Sequence, residues 1–279
     1  MKNRNEVETS KFVDTKILVI EFLGTFTLTY VGSWAIIFKD LNTISNNGVA
    51  LAHALAVLVF MWFGIPISGG HFNPAITLGL IIVKKIDWTS AIFYIMAQFL
   101  GAIVGAGFIF IQLNTEITEK INGASVLGIP GPGTQEYEIS GFWGEALGTF
   151  FIMYVYMALV VDSNRRKTEG VGAAALAFAI YISGMTLGEI SGAGLNPARS
   201  LGPAIVAGRI EKMQFIHFFG PIIGAILATI IYNSIFIDDE DDIRDELQTK
   251  QVNQETEQII EQNQYVQEPS PIELNERQV

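Results

Sequence analysis

Glu21-Phe22-Leu23-Gly24-Thr25-Phe26 recurs as Glu145-Ala146-Leu147-Gly148-Thr149-Phe150, at an offset of 124 residues. Asn73-Pro74-Ala75 recurs as Asn196-Pro197-Ala198 at an offset of 123, and Gln98, Gly101 and Gly105 recur as His217, Gly220 and Gly224 at 119. Three anchors in one order mean that the chain is built from two homologous halves. A lone Asn-Pro-Ala would say little, since Asn caps helices and Pro suits the first helical residue. A matched pair asks for a matched structure.

The solvent of those halves follows from their apolar runs. Half of the residues are apolar, 16% are charged, and the apolar residues come in stretches too long for a soluble core. A hydrocarbon layer of about 30 Å is crossed by about 20 helical residues. Six runs qualify: 17–38, 49–67, 88–112, 139–161, 171–187 and 215–237. Each half holds three, and an odd number puts the second half into the membrane upside down relative to the first. The expected fold class is therefore an all-α multi-pass membrane protein with an inverted repeat.

Orientation is read from the basic residues. Lys2, Arg4, Lys11, Lys16, Lys84, Lys85, Arg165, Arg166 and Lys167 fall on one side, against Lys39, Lys120, Arg209 and Lys212 on the other. The positive-inside rule then places both termini in the cytosol. The first run is too long for a signal-peptide core and is expected to stay as an anchor. The net charge of -11 is local: from Asp238 onward there are 13 acidic and 3 basic residues. Three segments are expected: a cytosolic stretch 1–16, a membrane domain 17–237 with repeats 17–112 and 139–237, and an acidic, disordered cytosolic tail 238–279. With no cysteine, neither disulfides nor thiolate chemistry enter.

The Asn-Pro-Ala segments follow the second and fifth runs, on opposite sides of the bilayer. Each opens a short apolar stretch, 74–83 and 197–207, that as a helix would be roughly 15 Å long and cross half the membrane. Irregular backbone and bare helix starts at that depth survive only where protein buries them or a watery cavity receives them. Two such helices meeting at the midplane imply a polar lumen. Gly69, Gly70, Gly192 and Gly194 are expected to let the re-entrant chain turn tightly.

Ser68-Gly69-Gly70-His71-Phe72-Asn73-Pro74-Ala75 and Gly192-Ala193-Gly194-Leu195-Asn196-Pro197-Ala198-Arg199-Ser200 resemble the two signature loops of the aquaporins, also called the major intrinsic proteins. The resemblance covers nearly all of 17–237. It implies six transmembrane helices plus two re-entrant half-helices, and a homotetramer with one pore per subunit. In that fold Asn73 and Asn196 meet near the centre, each held by local backbone bonds with its amide NH2 facing the lumen. His53, Gly184, Ala193 and Arg199 fall on the family's four constriction positions. An intramembrane Arg is costly unless it lines a cavity or is paired. The water-selective pattern has Phe and His where this chain has His53 and Gly184. Gly184 resembles the glycerol-conducting branch, whereas Ser200 and Ala204 resemble the water branch.

The resemblance thus implies a passive pore that conducts water along osmotic gradients and excludes protons and ions. A second reading is a facilitator of small neutral solutes such as glycerol, urea, ammonia or hydrogen peroxide. A third is a nonconducting junction or scaffold protein whose acidic tail binds a partner. His53 either lines the pore or only bonds a neighbouring carbonyl. Glu21 and Glu145 are expected to accept N–H groups from the re-entrant loops, with a proton relay as the alternative; His71 and Gln98 are expected to brace the same loops. The Gly101/Gly105 and Gly220/Gly224 pairs suit close helix contacts within the subunit. Thr168 beside Arg165-Arg166-Lys167 marks either a phosphorylation-sensitive cytosolic gate or a topology signal. No residues resemble a nucleophile with its base, a metal site or a phosphate cradle, so no enzyme activity, cofactor or nucleic-acid partner is expected. The partners expected are water, small neutral solutes, the lipid bilayer and further copies of the chain, in the plasma membrane or an intracellular vesicle or vacuole.

Overall fold

The computed structural model describes residues 13–120, 129, 138–162, 165, 169–210, 212–237, 250, 254 and 256. The chain divides into two compact units, Met1–Phe236 and Ile237–Val279. In the second, the described Lys250, Gln254 and Thr256 are helical. Thr168 and nearly all of the acidic tail 238–279 lie outside the described residues.

The first unit is helical among its described residues. Its order is α1 (Thr15–Asp40), α2 (Asn46–Ser68), α3 (Pro74–Ile82), α4 (Trp88–Gln112), α5 (Thr115–Lys120), α6 (Glu138–Tyr156), a π-helical segment (Met157–Val161), α7 (Glu169–Leu187), α8 (Pro197–Val206) and α9 (Lys212–Phe236). Six of these helices, with α6 continued by the π segment, are long and apolar enough to cross a membrane. They carry the six apolar runs, and most extend a few residues beyond them because polar caps add turns that hydropathy does not see. Asp14, for example, accepts from the Lys16 N–H at 2.9 Å ahead of α1. The last run instead ends one residue early, at Phe236. The π segment and α5 are features that no apolar run signalled.

α3 and α8 are the half-length helices, 9 and 10 residues, or about 14 and 15 Å at 1.5 Å per residue. Each starts at its Asn-Pro-Ala with Asn as cap and Pro as first helical residue, the arrangement that a rigid φ and a missing N–H favour. α3 packs on α9 and α8 on α4. Each half-helix is thus held by the last span of the opposite repeat.

The two repeats also cross their own first and third spans alike. A Cβ on Gly101 or Gly105 of α4 would strike the Phe22 or Phe26 carbonyl oxygen of α1. On α9, Gly220 and Gly224 approach Phe142 and Ala146 of α6 in the same way. The small-residue pairs therefore serve contacts inside the subunit. Large apolar side chains such as Val59, Trp62, Ile92, Phe110, Trp143 and Phe178 are exposed, whereas Glu21, Gln98, Glu145, Arg199 and His217 are buried. Polar groups inside and apolar groups outside suit a lipid-facing surface around a polar interior.

Candidate functional site

Each re-entrant loop is fastened by one buried carboxylate. Glu21 accepts from the Ser68 hydroxyl at 2.6 Å, from the backbone N–H groups of His71 and Phe72 at 2.9 and 2.7 Å, and from Gln98 Nε2 at 2.8 Å. Glu145 repeats the pattern, accepting from the Ser191 hydroxyl at 2.6 Å and from the N–H groups of Gly194 and Leu195 at 2.8 and 2.5 Å. The serines in turn accept from Gly70 N at 3.0 Å and Ala193 N at 3.1 Å. Backbone groups that lipid could never satisfy are satisfied here by side chains.

The Glu-x-x-Gly part of the repeat has a second use. Phe72 and Leu195, the residues before the two Asn, are held at φ 48° and 52°, a left-handed conformation that side chains other than Gly resist. Their side chains are accommodated by the repeated glycines: a Cβ on Gly24 would overlap the Phe72 ring, and one on Gly148 would stand 2.6 Å from Leu195 Cδ2. Gly69, Gly70 and Gly192 also have positive φ. Gly194 does not. It is small because a Cβ there would meet Ser200 Oγ at 2.5 Å and the His217 ring at 2.8 Å.

The consequence appears at the half-helix tips. Asn73 Oδ1 accepts from the Ala75 N–H at 2.9 Å, and Asn196 Oδ1 from the N–H groups of Ala198 and Arg199 at 3.0 and 3.2 Å. The amide nitrogens reach across instead of bonding locally. Asn73 Nδ2 donates to the Leu195 carbonyl at 2.9 Å, and Asn196 Nδ2 to the Phe72 carbonyl at 2.7 Å. The expected local bonds thus hold only the oxygens. Each amide spends one N–H on the opposite loop and has a second to offer the cavity that both residues line. Pro74, Ala75, Pro197 and Ala198 are buried behind the tips.

That cavity has a volume of about 300 Å³ and runs from Lys39, Asp40 and Arg209, on the face opposite the N-terminus, past both Asn residues to Tyr156. His53, Gly184, Ala193 and Arg199 all line it. His53 Nδ1 lies 2.9 Å from the Val49 carbonyl oxygen, which can only accept, so Nδ1 carries the proton. Nε2 then accepts from Arg199 Nε at 2.9 Å. The two readings of His53 therefore coexist: it bonds a carbonyl and walls the lumen, while orienting the guanidinium. Gly32 of α1 makes room for the ring, since a Cβ there would overlap His53 Nε2. Sequence reasoning missed Gly32, and only the register between α1 and α2 could have exposed it. The Cβ position of Gly184 faces Ala50 at 3.0 Å, so its smallness also brings α7 close to α2.

On the N-terminal side of the Asn pair, His71 lines the same cavity. Thr77 gives its one hydroxyl proton to the Asn73 carbonyl at 3.2 Å, and so accepts from His71 Nδ1 and Gln98 Nε2, both at 3.0 Å. His71 and Gln98 thus brace α3 through Thr77. At the end of the π segment, Asp162 accepts from the Tyr232 hydroxyl at 2.8 Å and from Arg165 Nη1, while Arg165 also covers the Phe236 ring. Burial opposes the charged carboxylate of Asp162, but the bonds from Tyr232 and Arg165 outweigh it and hold the group below the usual carboxylate value. Among the described residues, no group of three or more His, Cys, Asp or Glu is placed to hold a metal.

The family profile described as Major intrinsic protein matches residues 6–232. The chain belongs to the major intrinsic protein family, the aquaporins. It is 33% identical to Aquaporin-4 of Rattus norvegicus over 231 residues, 83% of this chain and 67% of that one. It is 32% identical to the probable aquaporin TIP2-2 of Arabidopsis thaliana over 229 residues, 80% of this chain and 88% of that one. In fold it resembles the X-ray structure of the aquaglyceroporin from Plasmodium falciparum, with a TM-score of 0.72 and 24% identity over 82% of this chain and 99% of that one. This aquaporin is accordingly a multi-pass membrane protein of a family of channels.

Proposed function

We propose that this aquaporin is a passive water channel that excludes protons and ions. The observation that carries the reading is one cavity lined by both Asn tips, each tip locked to the loop of the other. Both half-helices direct their N-terminal, partially positive ends at that point, which opposes cations. The remaining amide protons donate to a passing water, so its oxygen turns toward the pair. An aligned proton wire cannot persist through such a reversal. Nearer the opposite face, Arg199 supplies donors that replace some of a permeant's lost hydration, and His53 keeps it in place.

A facilitator of small neutral solutes is the second reading, and Gly184 favours it by adding no side chain to the constriction. Osmotic shrinkage and solute-driven reswelling of the same proteoliposomes separate the two. Water flow well above that of empty vesicles, without reswelling in glycerol or urea, is the outcome the water reading expects. Reswelling at a comparable rate would favour the facilitator.

Three further features belong to this reading. Basic loop residues put both termini in the cytosol, as a reporter at either end would test. Residues 17–237 form the channel domain with repeats 17–112 and 139–237, flanked by the cytosolic segment 1–16 and tail 238–279. The exposed apolar helix faces suit assembly as a homotetramer. Regulation at Thr168 or through the tail is a further element, to be tested by comparing permeability of the full chain with one ending at Ile237.

A further inference from the structure

The lumen-facing stripes of three helices stop at one level toward the N-terminal face. The last cavity-lining residue among those described is Met61 on α2, Leu176 on α7 and Tyr156 on α6. One turn beyond, the Ile65 and Val160 side chains come within 3.6 and 3.7 Å of where a Cβ on Gly172 would stand, so the helices have drawn together.

Tyr156 is the bulkiest group at that level and it is held at several points. Its hydroxyl donates to the Gly69 carbonyl at 2.8 Å. Its ring meets His71 edge-on, with centroids 6.0 Å apart and planes at 87°, a contact that leaves no gap as wide as a water between the rings. His71 is held in place, because Thr77 bonds Nδ1 at 3.0 Å and the Tyr94 ring lies tilted against it with centroids 4.6 Å apart. Directly after Tyr156 the helix widens into the π segment Met157–Val161, a local irregularity that recurs at functional positions. Asp162 and its partners Tyr232 and Arg165 then anchor the chain. The phenol and imidazole thus form one rigid wall, and a permeant is confined to the side of Met61 and Leu176.

We propose that Tyr156 is a second, size-selecting constriction, which supplies on the N-terminal side the bulk that Gly184 withholds from the constriction at Arg199. The proposal rests on the channel reading above. The class it admits is small neutral molecules about as wide as water; polyols and urea are turned back by the ring.

The test uses full-length wild type, Y156F, Y156L and Y156A in vesicles at matched protein density, measuring the ratio of glycerol and of urea permeability to water permeability. The ratio is expected to rise on the order of tenfold in Y156A and Y156L, the scale on which pocket size discriminates. Y156F keeps the ring and is expected to keep the wild-type ratio. An unchanged ratio in Y156A and Y156L, with water still flowing, overturns this proposal and leaves the channel reading standing. A rise in Y156F equal to that in Y156A also overturns it, because the hydroxyl anchor would then be responsible. Inserted wild type and variants that all match empty vesicles overturn both readings. Leu removes the ring but still fills part of the apolar space between the helices, so Y156L keeps the comparison even where Y156A fails to insert.

Discussion

Replacing Glu21 by Gln keeps the shape of the side chain and removes one acceptor atom from the anchor of the first re-entrant loop. Glu21 Oε1 accepts from the Ser68 hydroxyl and the His71 N–H, and Oε2 from the Phe72 N–H and Gln98 Nε2. An NH2 in either place faces a donor. Ser68 can rotate its hydroxyl and Gln98 can turn its amide, but the backbone N–H of His71 or of Phe72 has no such freedom. At least one buried backbone donor therefore loses its acceptor, at about 1–3 kcal/mol, and the remaining bonds no longer have a carboxylate as acceptor, which raises the total to about 2–4 kcal/mol. Thermal unfolding in detergent, followed by circular dichroism, should show a midpoint lower by roughly 5–10 °C. Glu145→Gln should fall by a similar amount, since Leu195 N and Gly194 N are in the same position. Midpoints for both variants within error of wild type would refute the claim that these carboxylates hold the loops.

Gly224→Ala places a methyl on the Ala146 carbonyl oxygen and should cost about 1–3 kcal/mol by overpacking; Gly107→Ala, with nothing within 4 Å of its Cβ position, should leave the melting midpoint unchanged or raise it. Gly32→Ala drives the His53 ring from its seat beside Arg199, so stopped-flow shrinkage should slow although no cavity-lining residue is altered. Asp162 ionises below its ordinary value of 3.8, so its contribution to stability is complete above that value and disappears as pH falls through the lower folded value. The melting-midpoint difference between wild type and Asp162→Asn should accordingly be constant above about pH 5 and shrink below about pH 4.

Much of the fold is legible because membrane solvent imposes simple rules. Twenty apolar residues cross a bilayer, three spans invert a repeat, and Asn-Pro-Ala caps a helix, so the element order follows from patterns a few residues long. The repeated Glu of the EFLGTF and EALGTF segments could be paired with the loops because it occurs twice, whereas the seats that Gly24 and Gly148 give to Phe72 and Leu195 emerge only from the packing. What stayed hidden depends on inter-helix register. Gly32 touches His53, and Tyr156 touches Gly69, across segments that are far apart in the chain, and although the two positions align at the repeat's offset of 124 they carry unlike residues, so the repeat advertises neither. The π segment is equally silent, since one wide turn among apolar residues leaves hydropathy unchanged. The reach of each Asn amide to the opposite loop depends on the left-handed backbone of Phe72 and Leu195, which a Phe and a Leu do not announce.

The claim beneath all of this is that the two half-helix tips hold open a continuous wet path through the membrane. The activation energy of water flow through reconstituted vesicles tests it most directly. A fast flux with an activation energy close to that of water self-diffusion, at unchanged proton leak, is the predicted result. Correctly inserted protein whose flux and steep temperature dependence match bare lipid would contradict it.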